Sequence, residues 1–311
     1  MGGDHKYNRE AGRRRREAEL QRGRGNLARC FNEMAQRTAL TIILILLAVA
    51  TASAQTPRPQ PSPPTDVTGA TYVEFDASTG IWVLRGNPVV VTRGTASVRA
   101  PSITYDSRQQ IVRATGGVAY ADTSAALDAA RATVWLAEER VLAEGEVSGV
   151  LREGGGETRL ASDTLEAWRR ERRAVATGNV QIRRGAFALA GNHVEYLEIQ
   201  QKVIAGGRST VTAPEGRVTA DRIEAFLDRE EAEASGNVEI ALRATSPSDP
   251  PIEGQASKAV LRRRDGIAIL SGGATIRQGQ NTATAMEITI DLRANRVVAT
   301  GQAHLVLYPG R

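Results

Sequence analysis

One cysteine, three histidines and 4% aromatic residues leave this 311-residue chain little material for several kinds of chemistry. The cysteine, Cys30, lies near the N-terminus, so the rest of the chain can form no disulfide, Cys-ligated zinc site or thiol nucleophile. A body without thiols suits an oxidising compartment. With so few aromatics, any core has to be built from Ala, Val, Ile and Leu. Excess charge is also missing from the body. Residues 1–54 hold ten Lys or Arg against five acids, which accounts for the whole net charge of +5 and leaves thirty of each sign behind. No general attraction to a phosphate backbone follows, and nucleic acid is not an expected partner. A long hydrophobic run is absent too. Leu40 to Ala50 (LTIILILLAVA) is shorter than the roughly 20 residues that cross a bilayer.

What is present is a folded-protein composition, 41% hydrophobic and 24% charged with 30 glycines, which excludes a disordered or collagen-like chain. Arg37, the apolar run and the Ala52-Ser53-Ala54 site together read as a secretory signal cut after Ala54. The alternative is an uncleaved anchor in the inner membrane. Met34 is an alternative start, which would leave residues 1–33 outside the signal. Residues 55–69 open with QTPRPQPSPPTD, five prolines in twelve residues, and read as an extended linker.

Beyond the linker, one pattern recurs eight times. Gly86, Gly116, Gly145, Gly178, Gly206, Gly236, Gly272 and Gly301 are spaced by 30, 29, 33, 28, 30, 36 and 29 residues. Two steps before each stands an apolar residue, from Leu84 and Ala114 through Leu270 and Ala299. Two steps after stand Pro88, Val118, Val147, Val180, Arg208, Val238, Ala274 and Ala303. Four steps after stand Val90, Tyr120, Gly149, Ile182, Thr210, Ile240, Ile276 and Leu305. Arg208 and Thr210 break the rule in the fifth copy. Apolar residues at these offsets, with polar ones between, give period two: a strand with one buried face. A second strand precedes each, as at Ile103 or Ile288, across turn formers such as Asp106-Ser107 and Asp265-Gly266. Eight hairpins make about sixteen short strands. The Ala-rich stretch Leu127 to Leu142 and DREEAEA (228–234) compete as helices, but both lie in phase with the repeat. The two longest spacings coincide with insertions at 153–156 and 245–251. A glycine inside each strand costs about 0.5–1 kcal/mol against alanine. Its recurrence therefore points to a sharp bend, or to a group that approaches the backbone closely.

Phrases such as AVATGNVQI (174–182), ASGNVEI (234–240), PIEGQAS (251–257) and NTATAMEITI (281–290) resemble the OstA-like, LptA-type family of periplasmic lipopolysaccharide-transport proteins. The similarity covers about residues 70–308. It implies an all-β, elongated β-jellyroll of stacked antiparallel hairpins in two splayed sheets, with an apolar trough that shelters acyl chains. It also implies end-to-end pairing with other β-jellyroll subunits through edge strands, a periplasmic location and no enzymatic activity. The chain has roughly twice the family's usual number of repeats, so two fused units, 70–182 and 183–308, are an alternative to one long jellyroll. The residues expected to line the trough are Ile103, Val118, Leu165, Val180, Ile182, Ile223, Val238, Ile240, Ile276 and Ile288. Each equally fits plain core packing. Val73, Phe75, Leu305 and Leu307 are expected at edge-strand contacts.

Other chemistry is thinly represented. His193 and His304 are far apart, no phosphate-cradling glycine loop occurs, and no catalytic residue, metal ligand or cofactor is expected. Asp163 and Asp221 recur with the repeat and are expected to bond backbone at strand starts. The clusters 169–173 and 262–264 fall in hairpin connections, where they are expected to be solvated or to meet lipid phosphates. Competing readings are an anchored bridge component, a structural envelope scaffold, and a β-helix enzyme acting on polysaccharide. The last is disfavoured by repeats longer than the about 20–25 residues of short-rung solenoids.

Overall fold

The structure, a computed structural model, describes residues 64–153, 156–243, 250–294 and 296–308. The expected signal, the alternative start and linker residues 55–63 lie outside the described residues. The strands are β1 (Thr65–Asp76), β2 (Ile81–Arg93), β3 (Ala96–Asp106), β4 (Ile111–Ala121), β5 (Ala125–Trp135) and β6 (Arg140–Glu153). They continue as β7 (Gly156–Trp168), β8 (Arg173–Arg184), β9 (Phe187–Leu197), β10 (Lys202–Ala213), β11 (Gly216–Phe226) and β12 (Glu231–Leu242). The last are β13 (Ile252–Arg262), β14 (Ile267–Gln278), β15 (Asn281–Asp291), β16 (Arg296–Thr300) and β17 (His304–Val306). Each strand from β1 to β15 pairs antiparallel with the next, and both β16 and β17 pair with β15. The result is one unclosed meander.

The recurring glycines explain how this single sheet acquires an inside. In β4, β6, β8, β10, β12 and β14 two consecutive residues take left-handed φ. The pairs are Gly116-Gly117, Gly145-Glu146, Gly178-Asn179, Gly207-Arg208, Gly236-Asn237 and Gly272-Gly273. At that level the register slips by one residue against both neighbouring strands, as between Thr115 and Val118. These are β-bulges, and a bulge bends the strand that carries it. Aligned across the meander, they fold the sheet along one line, so the two halves of every strand face each other. The two splayed layers expected from sequence are thus halves of the same strands.

Gly145 shows why no other residue serves. Its φ is +81°, and an added Cβ would stand 2.7 Å from the Ala130 Cβ on β5. Pro101, Asp163, Asn192, Asp221, Ser257 and Met286 cover the corresponding glycines in the other copies. Both reasons given for the glycine, a bend and a close approach, operate together. Asp163 and Asp221 lie in the middle of β7 and β11 rather than at strand starts, and they accept hydrogen bonds from the Asn179 and Asn237 side chains at the bend.

Ala114, Ala143, Ala176, Ala205, Ala234 and Leu270 are buried just before the bend, and Val118, Val147, Val180, Ser209, Val238 and Ala274 just after it. Small residues recur here because the two halves approach most closely at the fold line.

Several expectations change. In the fifth copy the bend falls on Gly207, not Gly206, which restores Ala205, Ser209 and Val211 to the inward positions and removes the apparent break at Arg208 and Thr210. In the first copy the Asn87–Pro88 peptide is cis, and Val89 and Val91 face inward instead of Pro88 and Val90. The expected linker ends early, since β1 begins at Thr65. The phase of the repeat holds for the two segments that compete as helices, which are strand and turn in β5, β6 and β12. The last hairpin breaks around Gly301, which makes seventeen strands among the described residues rather than sixteen.

Hairpin turns carry their own chemistry. Asp106 accepts from the Arg108 and Gln109 amides, and Asp291 does the same with Arg293 and Ala294. Hydrogen bonds from Ser78 and Thr79 lower the Asp76 carboxyl to about 2. On the outer face, Arg140, Arg173 and Lys202 pair with Glu166, Glu195 and Glu224. Arg140 and Arg173 also lie over the Trp168 ring. Lys202, then Arg222, holds the Glu224 carboxyl below its ordinary range, and Arg131 does so for Glu144. Burial raises Asp122, but hydrogen bonds from Tyr120, Ser124 and Ala125 outweigh it and leave the carboxyl lowered. Carboxyls depressed by folding contribute stability above their unfolded pKa and lose it as pH falls through the folded value. Thermal melts are therefore expected to show no loss from these groups between about pH 7 and 5, and a falling midpoint below about pH 4.

Candidate functional site

Between the facing halves of β1 to β6 lies a cavity of about 450 Å³. Its floor is the cluster at the bend: Val89, Ala100, Ile103, Ala114 and Val118. Leu84, Val91, Val98, Val112 and Ala132 rise from this floor as partly buried walls, and Leu127, Val134 and Val141 extend them. These side chains point inward by period two on both sides of the bend. Towards the opening stand Thr65 and Arg93 on one half, Tyr105 and Leu136 on the other. Tyr120, also in the wall, donates its hydroxyl to Asp122 at 2.6 Å; burial first, and then that bond, push its ionisation up so that it stays protonated. The wall therefore offers hydrocarbon contact without an unsatisfied hydroxyl.

The expected lining residues are not equivalent. Ile103 and Val118 border the cavity. Leu165, Val180, Ile223, Val238, Ile240, Ile276 and Ile288 share the inward face but are buried, Val180 and Val238 to 1% exposure and Ile288 to 0%. Ile182 is inward and half-buried. From β7 onward these residues pack the two halves together. The continuous aliphatic lining expected from sequence is also interrupted. Among the described residues, the buried polar side chains are Thr158, Ser162, Glu198 and Ser209, all between β7 and β10. Ser162 donates to the Thr164 carbonyl and Ser209 to the Gly206 carbonyl, while Glu198 accepts from Arg172. Leu84, Val91, Val98, Val112, Leu127 and Val134 were missed as lining. Their signal was the same alternation, obscured in the first copy by the shift at Pro88.

The arginine clusters do not offer free cations. Arg169 and Arg170 pair with Glu139, Arg172 with Glu198, Arg173 with Glu195, Arg262 with Glu231, Arg263 with Glu215 and Arg264 with Glu230. No group of three or more His, Cys, Asp or Glu is placed to hold a metal ion among the described residues. At the ends of the meander, Val73 is 56% exposed on β1, and Phe75, stacked on Trp82, is also exposed. Leu305 and Leu307 are exposed at the other end.

The family comparison bears on the strands that follow the β1–β6 cavity. The family described as LptA/(LptD N-terminal domain) LPS transport protein matches residues 159–296. No curated protein matches the chain. Among solved structures, LptH, the LptA homologous periplasmic component of the lipopolysaccharide transport device from Pseudomonas aeruginosa, aligns at 14% identity with a TM-score of 0.38. The alignment covers 40% of this chain and 95% of that one. The resemblance to the OstA-like lipopolysaccharide-transport family, carried in sequence by the phased Gly-Asn-Val repeats, is thus met by a family match over residues 159–296, on an all-β meander whose repeats bend at those glycines.

Proposed function

We propose that the chain is a non-enzymatic carrier of envelope lipid, of lipopolysaccharide type, which shelters acyl chains in the periplasm during transport towards the outer membrane. The apolar cavity between the halves of β1 to β6, open beside Thr65 and Arg93, is the observation that carries this reading. Burying a methylene is worth about 0.8 kcal/mol, so about ten methylenes gain on the order of 8 kcal/mol. Because apolar contacts are not directional, a chain held in this way can slide. Protein purified without detergent should retain lipid that mass spectrometry of an organic extract identifies. A folded chain that carries none contradicts the carrier reading and favours a scaffold.

The exposed outer strands support end-to-end assembly with further β-jellyroll subunits or second copies, because unpaired edge groups are templates for another strand. Adjacent residues in a strand point their amides to opposite sides. One of Tyr72→Pro and Val73→Pro therefore removes a donor from the free edge of β1. That variant is expected to weaken self-association about ten-fold in sedimentation experiments, and one of Leu305→Pro and Val306→Pro should do the same at the other end.

A further inference from the structure

The two ends of each strand should lie far apart, because an extended strand of eleven or twelve residues spans about 35–40 Å. Arg263 and Glu215 stand at opposite ends of the strands. Arg263 is in the turn between β13 and β14, on the side of the bend that begins β12, and Glu215 is in the turn between β10 and β11. Yet the Arg263 guanidinium lies 3.5 Å from a Glu215 carboxylate oxygen. It also lies over the ring of Phe187, 4.8 Å from its centre, at the start of β9 on the same side as Glu215. The fold has therefore brought its two rims together here, and this side chain spans the mouth.

We infer that Arg263 is a gate: its contacts with Glu215 and Phe187 latch the mouth of the trough over β9 to β13 and must part before an acyl chain can enter that stretch. The inference rests on the carrier reading. Beneath the latch the halves touch through apolar side chains, and a chain that enters exchanges protein–protein apolar contact for protein–lipid contact. That exchange is close to neutral, because the hydrophobic effect does not distinguish partners. What specifically holds the mouth shut is the set of polar contacts across it. The latch is also weak. Both members of the ion pair are about half exposed, at 48% and 44%, and such pairs contribute little. Its backbone stays anchored, because the Arg263 amide donates to the Glu230 carbonyl at 3.0 Å. Opening thus needs only a side-chain swing and a splaying of the halves about the bend. The buried Thr158 and Ser162, on β7, lie between the open cavity and the latched part, and the buried Glu198 and Ser209 lie at the near side of the latched part itself.

The test uses the full chain with Cys30→Ser, Glu215→Cys and Arg263→Cys, joined or left unjoined by a bis-maleimide. The probe is a long-chain fatty acid with a photoreactive tail, and adducts are located by peptide mapping. Without the link, adducts are expected on the cavity walls, at Val98 and Val134, and on the inward face of β11 and β12, at Val218 and Ile240. With the link, the cavity adducts persist and those at Val218 and Ile240 disappear. Undiminished labelling at Val218 and Ile240 in the linked protein overturns the gate. An unlinked protein labelled nowhere overturns the carrier reading beneath it. In the otherwise natural chain, Arg263→Ala should label Ile240 about three- to ten-fold faster, and an unchanged rate contradicts the latch.

Discussion

Gly145→Ala lowers the melting temperature by about 6–12 °C, whereas Gly117→Ala lowers it by about 2–8 °C. Both glycines have left-handed φ, +81° and +96°, which costs an L-residue about 1–2 kcal/mol. They differ in surroundings. A Cβ on Gly145 meets the Ala130 Cβ at 2.7 Å, whereas one on Gly117 meets nothing within 4 Å. Overpacking adds about 1–3 kcal/mol, so Gly145→Ala loses about 3 kcal/mol in all. For a body of this size each kcal/mol moves the midpoint by about 2–4 °C. Differential scanning calorimetry of the two variants separates conformational strain from close packing at the bend. Equal shifts would show that Ala130 yields freely and that the bend is held by φ alone.

On the proposed carrier function, Ala132→Trp is expected to lower retained lipid per chain by an order of magnitude or more while leaving the fold intact. Ala132 is a partly buried wall residue of the β1–β6 cavity, paired with Ala114 on β4 and Ala143 on β6. An indole there has open space to occupy and brings about 150–250 Å² of its own surface against the walls. It takes the place of hydrocarbon without introducing a charge. The same substitution at Ala167, an inward position of β7 exposed to only 1%, finds no space and should destabilise by about 1–3 kcal/mol. Lipid extraction with circular dichroism on both variants distinguishes a filled cavity from a damaged fold. Wild-type lipid content in Ala132→Trp places the cargo elsewhere.

The repeat was legible because period-two burial and phased glycines are local properties. Val118, Val147, Val180 and Val238 needed no tertiary information to be placed inside. Gly206 and Gly207 show the limit: two adjacent glycines offer two alignments, and only the backbone conformation selects Gly207. In the first copy, the cis Asn87–Pro88 peptide replaces the left-handed pair and shifts the inward set to Val89 and Val91. The uneven interior was not legible. Leu84 and Leu270 occupy the same repeat position, yet Leu84 borders open space and Leu270 is fully buried, because that difference depends on how closely the opposite half approaches. Arg263 was indistinguishable from its neighbours for the same reason, since Glu215, in a turn, and Phe187, at the start of β9, are residues it meets only through the bend.

The proposed function requires that an acyl chain lie along the apolar walls between the halves of β1 to β6. The direct measurement is the affinity of the purified, delipidated full chain for single-chain fatty acids of increasing length. If the tail lies in the cavity, each added methylene strengthens binding about four-fold, the equivalent of about 0.8 kcal/mol, until the cavity is full and the affinity levels off. Ala132→Trp moves that plateau to shorter chains. An affinity independent of tail length, or a plateau that Ala132→Trp leaves in place, contradicts the account.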